Sequence, residues 1–246
     1  MIVTGVSRRV GIGAAVVRNL AASGWQVFST WFAPYDESMA WGSDPSEVEQ
    51  LLAIDNVRGM AADLGDPRLP CAVFDAAEEA FGPIRALVNV HTHDPGGGLD
   101  AIDAAALDRH LDVNVRGTYL LIREFAKRYS TGSGPGRIVS FLSGPPLIGS
   151  VAYAASKGAV HWMTLSVAGE LAPRGITVNA VDPGPTDTGW MPTGLLDRLS
   201  AANPAGRVST PADAANLVRF LLSNEGGWMT GQFLHSDGGF SNLAKP

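Results

Sequence analysis

Short apolar runs alternate with longer amphipathic stretches from one end of the chain to the other. Residues 2–4, 26–31, 57–61, 86–90, 137–142, 177–181 and 232–235 are compact runs dominated by apolar side chains, the pattern of strands covered on both faces. Between them, residues 12–22, 70–81, 104–128, 151–172 and 211–223 repeat apolar positions at helical spacing. Strands separated by helices of this length predict right-handed βαβ crossovers. The fold class is therefore α/β, with a parallel sheet of about seven strands and helices on both faces. No repeat or low-complexity segment breaks the pattern, so residues 1–246 are read as a single domain. The longest unpatterned piece, FAPYDESMAWGSDPS at 32–46, is read as a surface excursion after the second strand.

Sheets of this kind bind ligands at the carboxyl ends of their strands, near the reversal of strand order. The first such end carries TGVSRRVGIG, residues 4–13. Gly5 closes the strand, and Gly11 and Gly13 open the next helix, an order that turns backbone N–H groups and a positive helix end towards an anion. Its place at the first strand-to-helix turn raises the motif above a bare glycine pattern; a tight turn without ligand is the plainer alternative. Composition then sets bounds. Hydrophobic residues make up 46% of the chain, enough for a full core, and a net charge of −6 offers no basic surface to nucleic acid. No apolar run approaches the ~20 residues of a transmembrane helix, and a strand starting at residue 2 leaves no room for a signal peptide. Cys71 is the only cysteine; it is read as a small helix residue and points to a reducing, cytoplasmic setting.

Chemistry enters with YAASK. Tyr153 and Lys157 stand four apart and share a helix face. A phenol is a poor acid at neutral pH, with a pKa of about 10, but a nearby ammonium favours phenolate and makes proton exchange with a substrate oxygen feasible. Upstream, Ser143 ends the strand RIVSFLS at the ligand-binding edge, and Asn114 lies in a long apolar helix where a buried amide needs a partner. Singly, these are a half-exposed helix face, a strand-end serine and a satisfied core amide. In order, they form a set.

That set, with TGVSRRVGIG, AADLGD, LVNV, NVRG, VNAVDPGPTDT and MTGQFLHSDGG around it, resembles the short-chain dehydrogenase/reductase family over essentially the whole chain. The resemblance implies a single-domain, Rossmann-type doubly wound sheet, assembled as a homotetramer or homodimer. It also implies hydride transfer between NAD(P) and an alcohol or carbonyl. It assigns Asn114, Ser143, Tyr153 and Lys157 to the family's catalytic tetrad. Tyr153 is then the proton donor in carbonyl reduction, and Lys157 binds the nicotinamide ribose and lowers the phenol's pKa. Ser143 polarises the carbonyl oxygen, and Asn114 supports a proton-relay water. For the cofactor, the resemblance implies Gly5, Ser7, Arg8, Arg9, Gly11, Ile12 and Gly13 in the phosphate loop, Asp63 and Leu64 at the adenine, and Asn89. Pro183, Gly184, Thr186 and Thr188 make the nicotinamide loop. The Tyr-x-x-x-Lys spacing favours ketoreductases of the 3-oxoacyl-carrier-protein reductase type over enoyl reductases, which space this pair more widely.

Three departures from the family pattern bear on activity. The glycine loop is two residues longer than TG-x-x-x-G-x-G, with the surplus inside VSRRV, and is read as lengthened rather than lost. In NVHT, residues 89–92, His91 occupies a place normally held by a small residue; it either points away or reshapes the cofactor wall and weakens binding. HTHD also offers His91, His93 and Asp94 as metal ligands, but no further ligand cluster supports them, and a polar loop without metal is expected. Last, Ser143 precedes Tyr153 by ten residues rather than the family's roughly thirteen. Ser140 would restore the count but lies inside the strand, and a loop shortens more easily than a strand slips.

At the end of the second strand, where an aspartate would select NAD, stands Trp31. With Arg8 and Arg9 read as facing a 2′-phosphate, NADP(H) is preferred and NAD(H) possible; two solvated loop arginines are the alternative. The substrate pocket is expected from residues 93–98, 144–148 and GWMPTGLLDRL, where Trp190, Met191, Leu195 and Leu196 read equally as lid, core or subunit contact. The expected partner is a small-molecule ketone or secondary alcohol. A carrier protein would need a basic patch, for which Arg123, Lys127 and Arg128 are the candidates. Other classes stay open: a cofactor-binding sensor or inactive partner subunit, motivated by NVHT, and, with less support, a Ser143 hydrolase lacking the Gly-x-Ser-x-Gly elbow.

Overall fold

A computed structural model describes residues 1–144 and 149–242. Seven strands run parallel: β1 (Ile2–Val3), β2 (Val27–Trp31), β3 (Val57–Ala61), β4 (Ala86–Asn89), β5 (Gly136–Phe141), β6 (Ile176–Asp182) and β7 (Phe233–His235). Their order across the sheet is β3-β2-β1-β4-β5-β6-β7, so the direction of winding reverses between β1 and β4. The chain leaves these two strands towards opposite sides and opens a crevice at their carboxyl ends.

The helices among the described residues are α1 (Ile12–Ala22), α2 (Ala33–Glu37), α3 (Pro45–Leu52), α4 (Leu69–Phe81), α5 (Ala104–His110), α6 (Thr118–Arg128), α7 (Val151–Leu171), α8 (Thr193–Ala202) and α9 (Pro211–Leu222). Alternate strand residues feed two cores. Val3, Val88, Val139 and Phe141 pack with Val16, Val17 and Leu20 of α1 and Val218 and Leu221 of α9. Ile2, Leu87, Ile138 and Val178 face the other way, onto Phe74 of α4, Leu121 and Phe125 of α6 and Leu171 of α7. Both faces of the inner strands are buried, which is why β4, β5 and β6 read as largely apolar runs, while the edge strands β3 and β7 are only partly covered.

Three readings need correction. Residues 32–46 are not an irregular excursion: α2 lies within them, and α3 starts at Pro45, capped by the Asp44 carboxylate accepting from Ser46 N–H at 2.9 Å. Helix α8 lies outside the expected helices; none of its residues is fully buried, and its apolar positions, Leu195, Leu196 and Leu199, are half-buried. The rod expected over 104–128 is interrupted by a π-helical turn, Leu111–Gly117, that contains Asn114. The part of the expected pocket wall at 145–148 lies outside the described residues. No helix among those described is long and apolar enough to cross a membrane.

Candidate active site

The crevice is built by backbone touching backbone. Gly5 leaves β1 with φ +74°, and a Cβ there would stand 2.6 Å from the His91 Cα. A Cβ on Gly13 would stand 2.3 Å from the Gly5 carbonyl oxygen. Side chains are thus excluded where the exits of β1 and β4 meet the start of α1. The two surplus loop residues are absorbed by a turn in which Gly11 N–H donates to the Arg8 carbonyl at 2.9 Å. Gly11 caps α1 without any side-chain bond, leaving the first N–H groups of the helix, from Ile12 and Gly13 onward, for a ligand. This cradle fits a dinucleotide's phosphates.

On the β2 and β3 side a pocket is lined by Gly5, Ser7, Trp31, Phe32, Tyr35, Asp63, Leu64 and Arg109. Ser7 Oγ accepts from the Phe32 N–H at 3.4 Å. Asp63 Oδ1 accepts from Gly65 N–H and from Arg109 Nη2, each at 2.9 Å, and the Arg109 guanidinium lies 5.9 Å from the Phe32 ring centre. Arg109, which comes from α5, carried no mark in the residue pattern. Arg8 and Arg9 do not face this pocket together, contrary to expectation. Arg8 stacks 4.7 Å from the Trp41 ring centre, and its charge still acts on Tyr35 of the pocket wall. Arg9 lines a separate cleft with Arg18 and Glu47, between α1 and α3. The turn at 8–11 sends the two side chains to different sides of the loop.

His91 borders the pocket on the β2 and β3 side, with its ring buried and held by two threonines. Its Nδ1 lies 2.6 Å from Thr4 Oγ1 and its Nε2 3.3 Å from Thr118 Oγ1. Thr118 Oγ1 itself donates to the Asn114 carbonyl at 2.8 Å, so it accepts from Nε2–H while Nδ1 accepts from the Thr4 hydroxyl. A neutral ring satisfies both, and burial, followed by the Lys157 charge, holds its pKa down to about 3. Only the backbone of His91 meets Gly5.

The tetrad residues converge at the carboxyl ends of β4 and β5. Asn114 Oδ1 accepts from His93 N–H at 2.7 Å, and its Nδ2 donates to the His93 carbonyl and to Ser156 Oγ, both at 2.9 Å. It ties the loop after β4 to α7. Lys157 Nζ is buried, donates to the Phe141 carbonyl at 3.0 Å, and lies 5.6 Å from the Tyr153 ring centre. The hydroxyls of Ser143 and Thr92 lie near enough to the Tyr153 phenol to favour its ionised form. Ser140, by contrast, is buried within β5 and accepts from Asn89 Nδ2 at 3.1 Å, which leaves Asn89 Oδ1 buried without a partner among the described residues.

One electrostatic expectation fails. Burial pushes the Tyr153 phenol up, and the charges of Asp94 and Asp182 add to it, against the two hydroxyls. Lys157 does not reverse this: burial brings its own pKa down to about 8, with Asp94 opposing that shift. An ammonium 5.6 Å from the ring is outweighed by desolvation and two carboxylates.

The nicotinamide-loop residues follow β6. Gly184 has φ +62°, and a Cβ there would stand 2.4 Å from Asp237 Cβ. Pro183 is buried, its carbonyl accepts from Thr186 Oγ1 at 3.2 Å, and Thr188 is half-buried. Trp190 is 48% exposed, and Met191, Leu195 and Leu196 are half-buried, so this stretch is not core. The basic patch does not form: Arg128 is held by Asp75, Glu78 and Glu124, within 2.8, 2.8 and 3.2 Å. Lys127 also faces Glu124, at 3.9 Å.

Fold and site define an oxidoreductase, and the chain belongs to the short-chain dehydrogenase/reductase family. A family model described as enoyl-(acyl carrier protein) reductase matches residues 5–241. The chain is 40% identical to an uncharacterized oxidoreductase, YjdA, of Bacillus subtilis, over 97% of this chain and 95% of that protein. It is 35% identical to NADPH-dependent aldehyde reductase 2, chloroplastic, of Arabidopsis thaliana, over 97% and 92% of the two chains. Among solved structures it resembles a short chain dehydrogenase from Burkholderia cenocepacia in complex with NADP. That likeness has a TM-score of 0.83 and 35% identity, over 98% of this chain and 97% of the other.

Proposed function

We propose that the protein is an NADPH-preferring reductase of ketones, and of aldehydes by the same chemistry, with Tyr153 as proton donor. The carrying observation is the buried Tyr153 phenol with Lys157 Nζ 5.6 Å from its ring centre and the Ser143 and Thr92 hydroxyls acting on it, at the strand ends next to the glycine cradle. A nicotinamide dinucleotide bound there supplies the hydride. Gly5, Ser7, Gly11, Ile12 and Gly13 would hold its phosphates, Asp63 and Leu64 its adenine, Asn89 and Lys157 its nicotinamide ribose side, and Pro183, Gly184, Thr186 and Thr188 its carboxamide. Trp31 in place of a carboxylate, together with Arg8 at the rim, supports NADP(H) over NAD(H).

Ser143 orients the substrate oxygen towards the phenol. Tyr153, kept protonated by burial and two carboxylates, delivers its proton to that oxygen as negative charge develops. Lys157, anchored on Phe141, stabilises the phenolate left behind. Asn114 fixes the loop that carries Thr92 and the helix that carries Tyr153. The four-residue Tyr153–Lys157 spacing supports carbonyl over enoyl reduction, and the neutralised Arg128 supports a free small molecule over a carrier-bound one. The bonding of the buried His91 ring to Thr4 and Thr118 weakens the motive for an inactive sensor. Residues 1–246 would act as one domain, assembled as a homotetramer or homodimer in the cytoplasm.

The test is a fluorescence titration with NADPH and NADH, followed by a ketone and aldehyde screen on the wild type and Tyr153→Phe. Tighter NADPH binding and Tyr153-dependent turnover are expected. Tight binding with no turnover on any carbonyl would favour the sensor.

A further inference from the structure

Resting on that reading, we propose that Tyr35 latches a strap across the cofactor crevice, and that the dinucleotide enters and leaves only when this latch opens. The Tyr35 phenol donates to the Asp94 carbonyl at 3.1 Å and accepts from the Asp94 N–H at 3.3 Å. Tyr35 belongs to α2, just after β2, and Asp94 to the loop after β4. In the sheet β1 lies between those two strands. The paired bonds therefore span the end of β1, where Gly5 leaves for the glycine cradle. Tyr35 and His93 line one pocket from its two flanks, with Gly5, Asp63 and Leu64 below them, so the latch closes over the place assigned to adenine. That pocket holds about 60 Å³, room for a few waters and not for a nucleoside.

One side of the latch is fixed and the other is free to lift. On the β4 side, Asn114 grips both the N–H and the carbonyl of His93, the residue before Asp94. The His93 ring stands 4.9 Å from that of His110 and 5.4 Å from that of Tyr35. On the β2 side, α2 is five residues long and buries only Asp36, so little apolar packing holds the segment down. What remains is a polar and aromatic fastening. Trp41 Nε1 donates to Asp36 Oδ1 at 2.9 Å, the Trp41 ring meets Tyr35 edge-on at 6.4 Å, and Arg8 of the glycine loop stacks on its face. Both partners of the phenol are backbone groups of one residue, so the latch does not depend on the side chain at 94. Burial raises the Tyr35 pKa to about 12, so the phenol keeps the proton it donates across the neutral range. Below, Arg109 already holds Asp63 Oδ1, the carboxylate assigned to adenine, so the closed pocket is filled from both walls.

The experiment follows NADPH fluorescence on rapid mixing with the wild type and with Tyr35→Phe, which keeps the ring and deletes both bonds. In the wild type the observed binding rate should level off as NADPH is raised, at the rate of latch opening. In Tyr35→Phe that plateau should rise about tenfold, the worth of two lost hydrogen bonds, and NADPH release should quicken by a similar factor. Hydrogen exchange on the free protein reads the latch without cofactor: the Asp94 amide should exchange faster in Tyr35→Phe. A wild-type rate that stays linear in NADPH overturns the inference, and so does a plateau or an Asp94 exchange rate that Tyr35→Phe leaves unchanged. In those cases Tyr153-dependent carbonyl reduction keeps the proposed function standing. Failure of the wild type to bind NADPH removes both.

Discussion

The Thr4 hydroxyl lies 2.6 Å from Nδ1 of His91, joining the ends of the two strands between which the sheet reverses. That bond, with its counterpart at Thr118, fixes the ring while the His91 backbone packs against Gly5, where the cofactor cradle needs it.

Acid should therefore weaken the protein through His91. The folded ring's pKa, about 3, lies below its ordinary 6.5, so the neutral form is the one that folding favours. The stability this contributes is complete above pH 6.5 and is lost as pH falls towards 3. Chemical denaturation across that window should show a slope that is reduced in His91→Asn; an unchanged slope would assign it to other groups. His91→Leu removes both ring bonds, and although each threonine hydroxyl keeps a backbone partner, the loss should cost about 1 kcal/mol in the same assay.

Tyr153→Phe deletes the proton donor while keeping the ring. The kcat for carbonyl reduction should fall by about 10²–10⁴, with the NADPH dissociation constant nearly unchanged. Turnover within a few-fold of wild type would give the proton to another group.

Gly13→Ala places a methyl 2.3 Å from the Gly5 carbonyl oxygen, and that oxygen is backbone, so the start of α1 must move. Dinucleotide binding should be lost in titration, with a fall in melting temperature. Gly98→Ala is the control, since nothing lies within 4 Å of a Cβ there.

The split between the two loop arginines predicts unequal effects. Arg8→Ala should raise KM for NADPH by about tenfold and leave NADH little changed, as expected for one lost phosphate partner. Arg9→Ala, on the far cleft, should alter neither. Equal effects of both substitutions would place the phosphate elsewhere.

The inner strands were legible because their residues are covered on both sides: runs such as 86–89 and 136–141 carry their burial in their composition. Helices α1, α4 and α9 were legible because each buries one apolar stripe against the sheet. Helix α8 buries none of its residues fully, and its half-buried Leu195, Leu196 and Leu199 left only a weak mark in the pattern. The short π turn at Asn114 is invisible to periodicity, since one widened turn does not disturb the apolar positions around it.

The sequence by itself determined which residue types stand at the strand ends, because backbone sterics restrict Gly5 and Gly13 and side-chain spacing fixes Tyr153 against Lys157 on one helix. Tertiary structure decided the directions and the charges. The His91 ring is held where it is because two threonines distant in sequence meet it. Arg128 is neutralised by three carboxylates from two helices. The Tyr153 phenol is held protonated by burial and by Asp94 and Asp182, which reach it from the ends of two different strands. Fields and desolvation depend on distance in space, and only the fold sets that distance.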